Sequence, residues 1–155
     1  MGNNIVELEI AKLLPNGEGL SSTDSKPIQV RNGLPGELVS ARILKKRKGV
    51  RYSDAIEIKT SSDVRKESFC QFFPRCGGCS MLHMRPAAEI ELKQKKLLSD
   101  LSKNEIVFAE ILKPVTKNFL GYRRKARLGV KCLGDQVLVG FRESFSSRVA
   151  RIDRC

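Results

Sequence analysis

Ile5-Val6-Glu7-Leu8-Glu9-Ile10 alternates apolar and charged residues, the period of a half-buried strand. Pro15-Asn16-Gly17-Glu18-Gly19 is turn chemistry, and a short strand follows near Lys26–Arg31. Gly33-Leu34-Pro35-Gly36-Glu37 makes another turn, where Gly33 and Gly36 allow the backbone angles of a tight reversal. Glu37–Lys48 reads as a long strand, with Leu38, Ser40, Arg42 and Leu44 on one side and Val39, Ala41 and Ile43 on the other. Tyr52–Thr60 supplies a further strand with Ala55 and Ile56 at its centre. Short strands separated by glycine turns, with no helix between them, predict a small β-barrel. After a cysteine-bearing loop, Pro86 opens a helix to about Lys103, because proline is tolerated at the first helical position. Ala87, Ile90, Lys93/Gln94, Leu97 and Leu101 form its amphipathic stripe, expected to pack on the loop and sheet. Strands return over Phe119–Leu128, Val137–Phe141 and Ser147–Ile152. The fold class is therefore mainly β, a barrel followed by a small α+β unit.

Charge sharpens this picture. The 155 residues carry a net charge of +12, of which Lys113–Cys155 contributes +8. A basic surface of this size favours a polyanion, with nucleic acid as the default. Lys45, Lys46, Arg47, Lys48 and Arg51 form a basic corner able to follow a phosphate backbone. Tyr122-Arg123-Arg124-Lys125-Ala126-Arg127 is the densest basic run. As a strand it would put Arg123, Lys125 and Arg127 on one face and Arg124 on the other. Tyr52 is the only aromatic residue of the barrel, so base stacking is not expected to dominate its affinity. No apolar run approaches the roughly 20 residues of a membrane span, and the N-terminus lacks the features of a secretory signal. A cytoplasmic setting is expected, where clustered cysteines serve as metal ligands more often than as disulfides.

The cysteines carry the chemistry. Residues 70–83 read Cys-Gln-Phe-Phe-Pro-Arg-Cys-Gly-Gly-Cys-Ser-Met-Leu-His, and Cys155 is the last residue. Three readings compete. The first is an iron–sulfur cluster on Cys70, Cys76, Cys79 and Cys155, since such clusters are commonly held by three close thiolates and one distant. Phe69, Phe72, Phe73 and Pro74 would then wall the cluster from solvent. The second is structural zinc, on four cysteines or on Cys70, Cys76 and Cys79 with His83. The third is a redox dithiol at Cys76 and Cys79, which would not need Cys70. Spacing leaves iron–sulfur and zinc open. Cys132, in a strand-like run, is expected to be a buried inert thiol. His83 is expected to be a structural residue beside the ligands.

The turns carry a resemblance. Gly-Glu-Gly at 17–19, Leu-Pro-Gly-Glu at 34–37 and the strand ending in Lys45-Lys46-Arg47-Lys48 resemble a TRAM domain, an OB-like RNA-binding barrel of tRNA- and rRNA-modifying enzymes. Cys-x5-Cys-Gly-Gly-Cys-x3-His directly after it is similar to the start of the central domain of bacterial 23S rRNA (uracil-5-)-methyltransferases. The likeness runs through residues 5–155 and implies a TRAM barrel at 5–62 and a cluster-binding central domain at 63–155. It implies a 4Fe-4S cluster on Cys70, Cys76, Cys79 and Cys155, and RNA contacts from the two basic runs. It also implies ribosomal RNA as partner to a monomer. In the family, a C-terminal Rossmann-like domain uses S-adenosylmethionine and a cysteine nucleophile to methylate uracil at C5. No Gly-x-Gly turn leading from a strand into a helix and no βαβ unit occurs here, so these residues resemble the front part of such an enzyme and are expected to be silent alone. The alternative is a stand-alone RNA-binding protein with a structural zinc or iron–sulfur site.

Overall fold

The alternating N-terminal segments close on themselves. In the computed structural model, which describes residues 4–21, 26–116, 119–144 and 146–155, five strands form a closed barrel in the order β1-β2-β3-β5-β4. They are β1 (Ile5–Leu13), β2 (Gly19–Ser21), β3 (Ile28–Arg31), β4 (Leu38–Arg47) and β5 (Val50–Thr60). Neighbours are antiparallel except β3 and β5, which run parallel. Closure removes every free sheet edge, and the inward positions fill the interior. Leu8, Ile10, Ile28, Val30, Val39, Ala41 and Ala55 make that core, with Val6, Ile43 and Ile58 packed at its margins. Ile56, expected at the centre of its strand, faces outward beside buried Ala55. Val39, Ser40 and Ala41 are buried in succession because the β4–β5 register shifts between Ser40 and Ala41. Such a bulge bends the strand as barrel closure requires. The Ser40 hydroxyl is not stranded there, since it donates to Glu57 Oε2 at 3.0 Å.

The turn from Asn32 to Glu37 joins the barrel to the cysteine-bearing half of the chain. Gly36 does adopt a left-handed φ of +81°. Gly33 is needed for a different reason than the one read from sequence: an added Cβ would press on the Ile10 side chain at 3.1 Å. Glu37 is fully buried and accepts four hydrogen bonds. They come from the amides of Leu34 (2.8 Å) and Ser62 (3.2 Å) and from Arg65 Nε (2.5 Å) and Nη2 (2.8 Å). Arg65 Nη2 also donates to the Asn32 carbonyl at 2.7 Å. Burial alone would raise the Glu37 pKa, but the donors from Arg65, Leu34 and Ser62 outweigh it and hold the carboxyl below its usual range.

From Arg65 the chain pairs with the far end of the cysteine loop. Arg65 and Met84 form an antiparallel bridge, with Lys66 N donating to His83 O (2.9 Å) and Arg85 N to Val64 O (2.8 Å). The β1–β2 turn rests on the same loop, since a Cβ on Gly17 would fall 2.7 Å from Met81 Cγ.

α1 spans Pro86–Lys103, with proline in its first turn and no side-chain N-cap. No residue of it is buried. Ile90, Gln94 and Leu101 are half-covered as expected, whereas Ala87 and Leu97 are exposed and their neighbours Ala88 and Leu98 are half-covered. Ion pairs Glu89–Lys93 and Glu91–Lys95, each 2.6 Å, and Lys96–Asp100 brace its outer faces. Beyond it, among the described residues, the strands are β6 (Gly129–Leu133) and β7 (Gln136–Gly140), paired as a two-stranded antiparallel sheet. Residues 119–128, expected as a strand, have no regular structure, and 147–152 contributes a single bridge between Val149 and Arg142. No helix among the described residues is long and apolar enough to cross a membrane.

Candidate metal centre and nucleic-acid interface

Two chain segments build the cysteine site. The first is the loop 70–79, wound by local hydrogen bonds: Phe73 N to Cys70 O (3.1 Å) and Cys76 N to Phe72 O (2.8 Å). The second is the C-terminal stretch from Phe141. They meet where Gly77 N donates to Arg142 O at 2.9 Å and Cys76 bridges Glu143. Gly77 and Gly78 are what let them meet. A Cβ on Gly77 would lie 2.5 Å from the Arg142 carbonyl oxygen, and one on Gly78 would lie 2.8 Å from the Phe141 ring. The Arg75–Glu143 ion pair (2.7 Å) closes the outer edge.

Cys70, Cys76, Cys79 and Cys155 all line one small pocket of about 30 Å³. Phe72, Phe73, Leu82, Phe141 and Ile152 supply its apolar wall, and Arg154 stands at its rim. Phe69, expected in that wall, is instead 67% exposed. The cysteines are free thiols. Burial pushes the Cys79 thiol up first, and charge on Cys155, Cys70 and Cys76 pushes it further, while Arg123 opposes them. That mutual influence places the four sulfurs in one electrostatic neighbourhood. Even so, no three His, Cys, Asp or Glu side chains among the described residues stand close enough to grip a single metal ion. The thiols' donor set, all sulfur with an apolar wall, fits a group that each thiolate would grip at a separate corner.

His83 does not line this pocket. Its ring stacks on Phe73, with centroids 5.2 Å apart, and neither ring nitrogen has a hydrogen-bond partner. Burial, then the charge of Arg65, lowers its pKa to about 4 against a partial counter-pull from Glu37, so the ring is neutral at pH 7. Cys132 is exposed, contrary to expectation, because neither face of the β6–β7 sheet is covered there.

The first basic run, Lys45, Lys46, Arg47 and Lys48, occupies the end of β4 and its turn, and Arg51 follows on β5. Lys48 (φ +49°) and Gly49 (φ +81°) turn the hairpin. Lys45 Nζ lies 5.9 Å from the Tyr52 ring centroid, and Arg51 Nη2 donates to Lys26 O at 3.3 Å. The second run does not present two strand faces. Arg123, Arg124, Lys125 and Arg127 are exposed on irregular chain, with Arg123 Nη1 reaching Gly78 O at 3.4 Å. That contact ties the run to the cysteine loop. Sequence reasoning missed it, together with Arg154 and the Glu37–Arg65 lock. An acid closing a tight Leu-Pro-Gly-Glu turn was the available hint of the lock.

The closed five-stranded barrel places the chain among proteins built on an OB-like TRAM fold. No protein-family model matches the chain. It is 40% identical over 152 residues to the 23S rRNA (uracil(1939)-C(5))-methyltransferase RlmD of Alkalilimnicola ehrlichii, a match covering 96% of this chain and 34% of that relative. The same-named enzyme of Hahella chejuensis is 38% identical over 153 residues, covering 97% and 34%. That of Francisella tularensis subsp. novicida is 37% identical over 156 residues, covering 97% and 35%. By this likeness the chain belongs with the N-terminal region of the 23S rRNA (uracil-5-)-methyltransferase family. It spans about a third of the length of the curated relatives it matches.

Proposed function

We propose that these residues are the RNA-engaging, cluster-holding portion of an S-adenosylmethionine-dependent 23S rRNA uracil-5 methyltransferase. The observation that carries the reading is the convergence of Cys70, Cys76, Cys79 and Cys155, from opposite ends of an 86-residue interval, on one apolar pocket. Four thiols lining one apolar pocket match the donor set of a 4Fe-4S cluster with one thiolate on each iron, and that supports the reading. The cluster would supply a rigid inorganic anchor. This chain's own residues do the rest: the glycine pair seats the loop on 141–143, and Arg123 hangs from that loop facing outward.

In this reading residues 5–62 form the TRAM barrel and 63–155 the central domain. Lys45, Lys46, Arg47, Lys48 and Arg51 hold ribosomal RNA by its phosphates from the barrel, and Arg123, Arg124, Lys125 and Arg127 from beside the cluster. Such contacts orient the substrate without reading its bases. Methyl transfer and S-adenosylmethionine binding belong to the part of the relatives beyond the match, in a cytoplasmic enzyme acting as a monomer.

The test is iron and acid-labile sulfide analysis of protein purified without oxygen. About four of each per chain is expected, falling sharply in Cys79→Ser and Cys155→Ser. Stoichiometric zinc with no sulfide would overturn the cluster reading. Alanine at Arg123, Arg124, Lys125 and Arg127 should weaken rRNA binding and lower its salt slope by up to about 0.7–0.9 per lost phosphate contact. An unchanged slope removes that run from the interface.

A further inference from the structure

The barrel buries its apolar residues, whereas the second half of the chain leaves them uncovered. Among the described residues, fourteen of the twenty exposed large hydrophobic side chains lie between Ile106 and Val139, so the exposure is concentrated rather than scattered. No described residue from 101 to 139 is buried. Val107 is 95% exposed, Val115 fully exposed and Leu112 75% exposed. An open groove between β7 and residues 150–153 continues this surface, lined in part by Val137, Val139 and Ile152. A soluble protein rarely leaves so long an apolar stretch uncovered, and such patches mark interaction surfaces.

We propose that the apolar side chains between residues 106 and 139, outside the basic run 123–127, are the docking surface for the folded remainder of the same enzyme, the two thirds of the relatives' length that lies outside the match. The inference rests on the reading above that such a remainder accompanies this portion. Three observations select this occupant. The first is chemical. Val107, Leu112 and Val115 are aliphatic, and RNA covers aromatic and guanidinium planes rather than branched alkyl groups. The second is electrostatic. Residues 113–155 carry +8, so a second copy of this chain would meet like charge. The third is size: about two thirds of each relative is unaccounted for by the match, ample to cover some thirty residues.

The experiment compares amide hydrogen exchange in the 155-residue chain with exchange in a hybrid, in which this chain replaces the matching third of the Alkalilimnicola ehrlichii relative. Residues 106–115 should exchange near the unprotected rate in the chain alone and at least about tenfold more slowly in the hybrid. Equal exchange in a hybrid whose barrel is protected overturns the proposal. So does protection of 106–115 in the chain alone on adding rRNA, or on self-association seen by light scattering. A second measurement is independent of the hybrid's folding. The chain alone should bind the dye anilinonaphthalene sulfonate, and the triple variant Val107→Glu, Leu112→Glu, Val115→Glu should lose most of that signal with barrel circular dichroism unchanged. Absence of dye binding by the chain alone also overturns it. Iron content is untouched by either readout, so failure here and failure of the cluster reading are told apart.

Discussion

Replacing Glu37 with alanine should be the most damaging single change in the barrel. The carboxylate is wholly buried and Arg65 is 16% exposed. Alanine removes the acceptor of the Leu34 and Ser62 amides and of two Arg65 nitrogens at once. Arg65 keeps the Asn32 carbonyl, which carries no countercharge. Breaking a buried pair from one side costs about 3–5 kcal/mol, because the surviving charge stays desolvated. Against a typical domain stability of about 5–15 kcal/mol, that is a large share. The assay is urea unfolding followed by circular dichroism, with the midpoint converted through an unchanged slope. Arg65→Met alone should also destabilise, and the double variant should recover part of the loss, giving a clear coupling energy. The acid limb supplies a second signature. Glu37 titrates below its ordinary value in the folded chain, so its stabilisation is complete above pH 4.5 and is lost as pH falls through the folded pKa. Glu37→Gln should flatten that part of the limb. A loss under about 1 kcal/mol in Glu37→Ala, or strict additivity with Arg65→Met, would refute the lock.

The site itself yields three more expected outcomes. His83, with a folded pKa of about 4 against 6.5, resists protonation in place. Stability should therefore be complete above pH 6.5 and fall as pH drops toward 4, by about 3 kcal/mol in all. Thermal unfolding of His83→Phe, whose ring keeps the Phe73 stack and has no orphan nitrogens, should lack that slope. Gly77→Ala should be worse than Gly78→Ala, since the first meets a fixed carbonyl oxygen and the second a ring that can tilt. A cost of about 1–3 kcal/mol with loss of bound iron is expected for Gly77→Ala, and unaltered stability and iron would contradict the close approach. Cys132→Ser should remove one fast-reacting thiol in native maleimide labelling and leave iron content unchanged, because Cys132 is exposed and outside the pocket.

The barrel is readable in the sequence where side chains alternate against a real interior. Residues 5–10 and 38–44 show the pattern because one face of each packs inside a closed sheet. β2 is not, because three residues carry no measurable period. The limits of α1 match from Pro86 onward, and Ile90, Gln94 and Leu101 are covered as expected, while Ala87 and Leu97 are not, since no buried contact pins the helix rotation. Reading the basic run at 123–127 as a strand places Arg123, Lys125 and Arg127 on one face. A strand also needs a partner edge, and pairing among the described residues begins only at Gly129. The expectation that Cys132 lies inside rests on the same assumption, that a strand-like run has a covered face. Residue type and spacing group the three close cysteines with the terminal one. That they share one apolar pocket depends on Gly77 and Gly78 touching residues 141–142, which sequence spacing does not encode.

These couplings form one physical chain from barrel to pocket. Glu37 holds Arg65, and the Arg65–Met84 bridge holds the exit of the cysteine loop. The loop in turn holds the C-terminal stretch through Gly77 and Cys76, and that stretch carries Cys155 back to the other three thiols. Each link before the last is a hydrogen bond or ion pair already closed in the polypeptide. The last is four thiols lining one pocket, where burial first, then charge on the other three, opposes ionising Cys79. A bound cationic metal group would offset that opposition, because it favours the thiolate form. The polypeptide contacts supply the geometry of the pocket, and in the proposed reading the bound group would supply the charge that stabilises it.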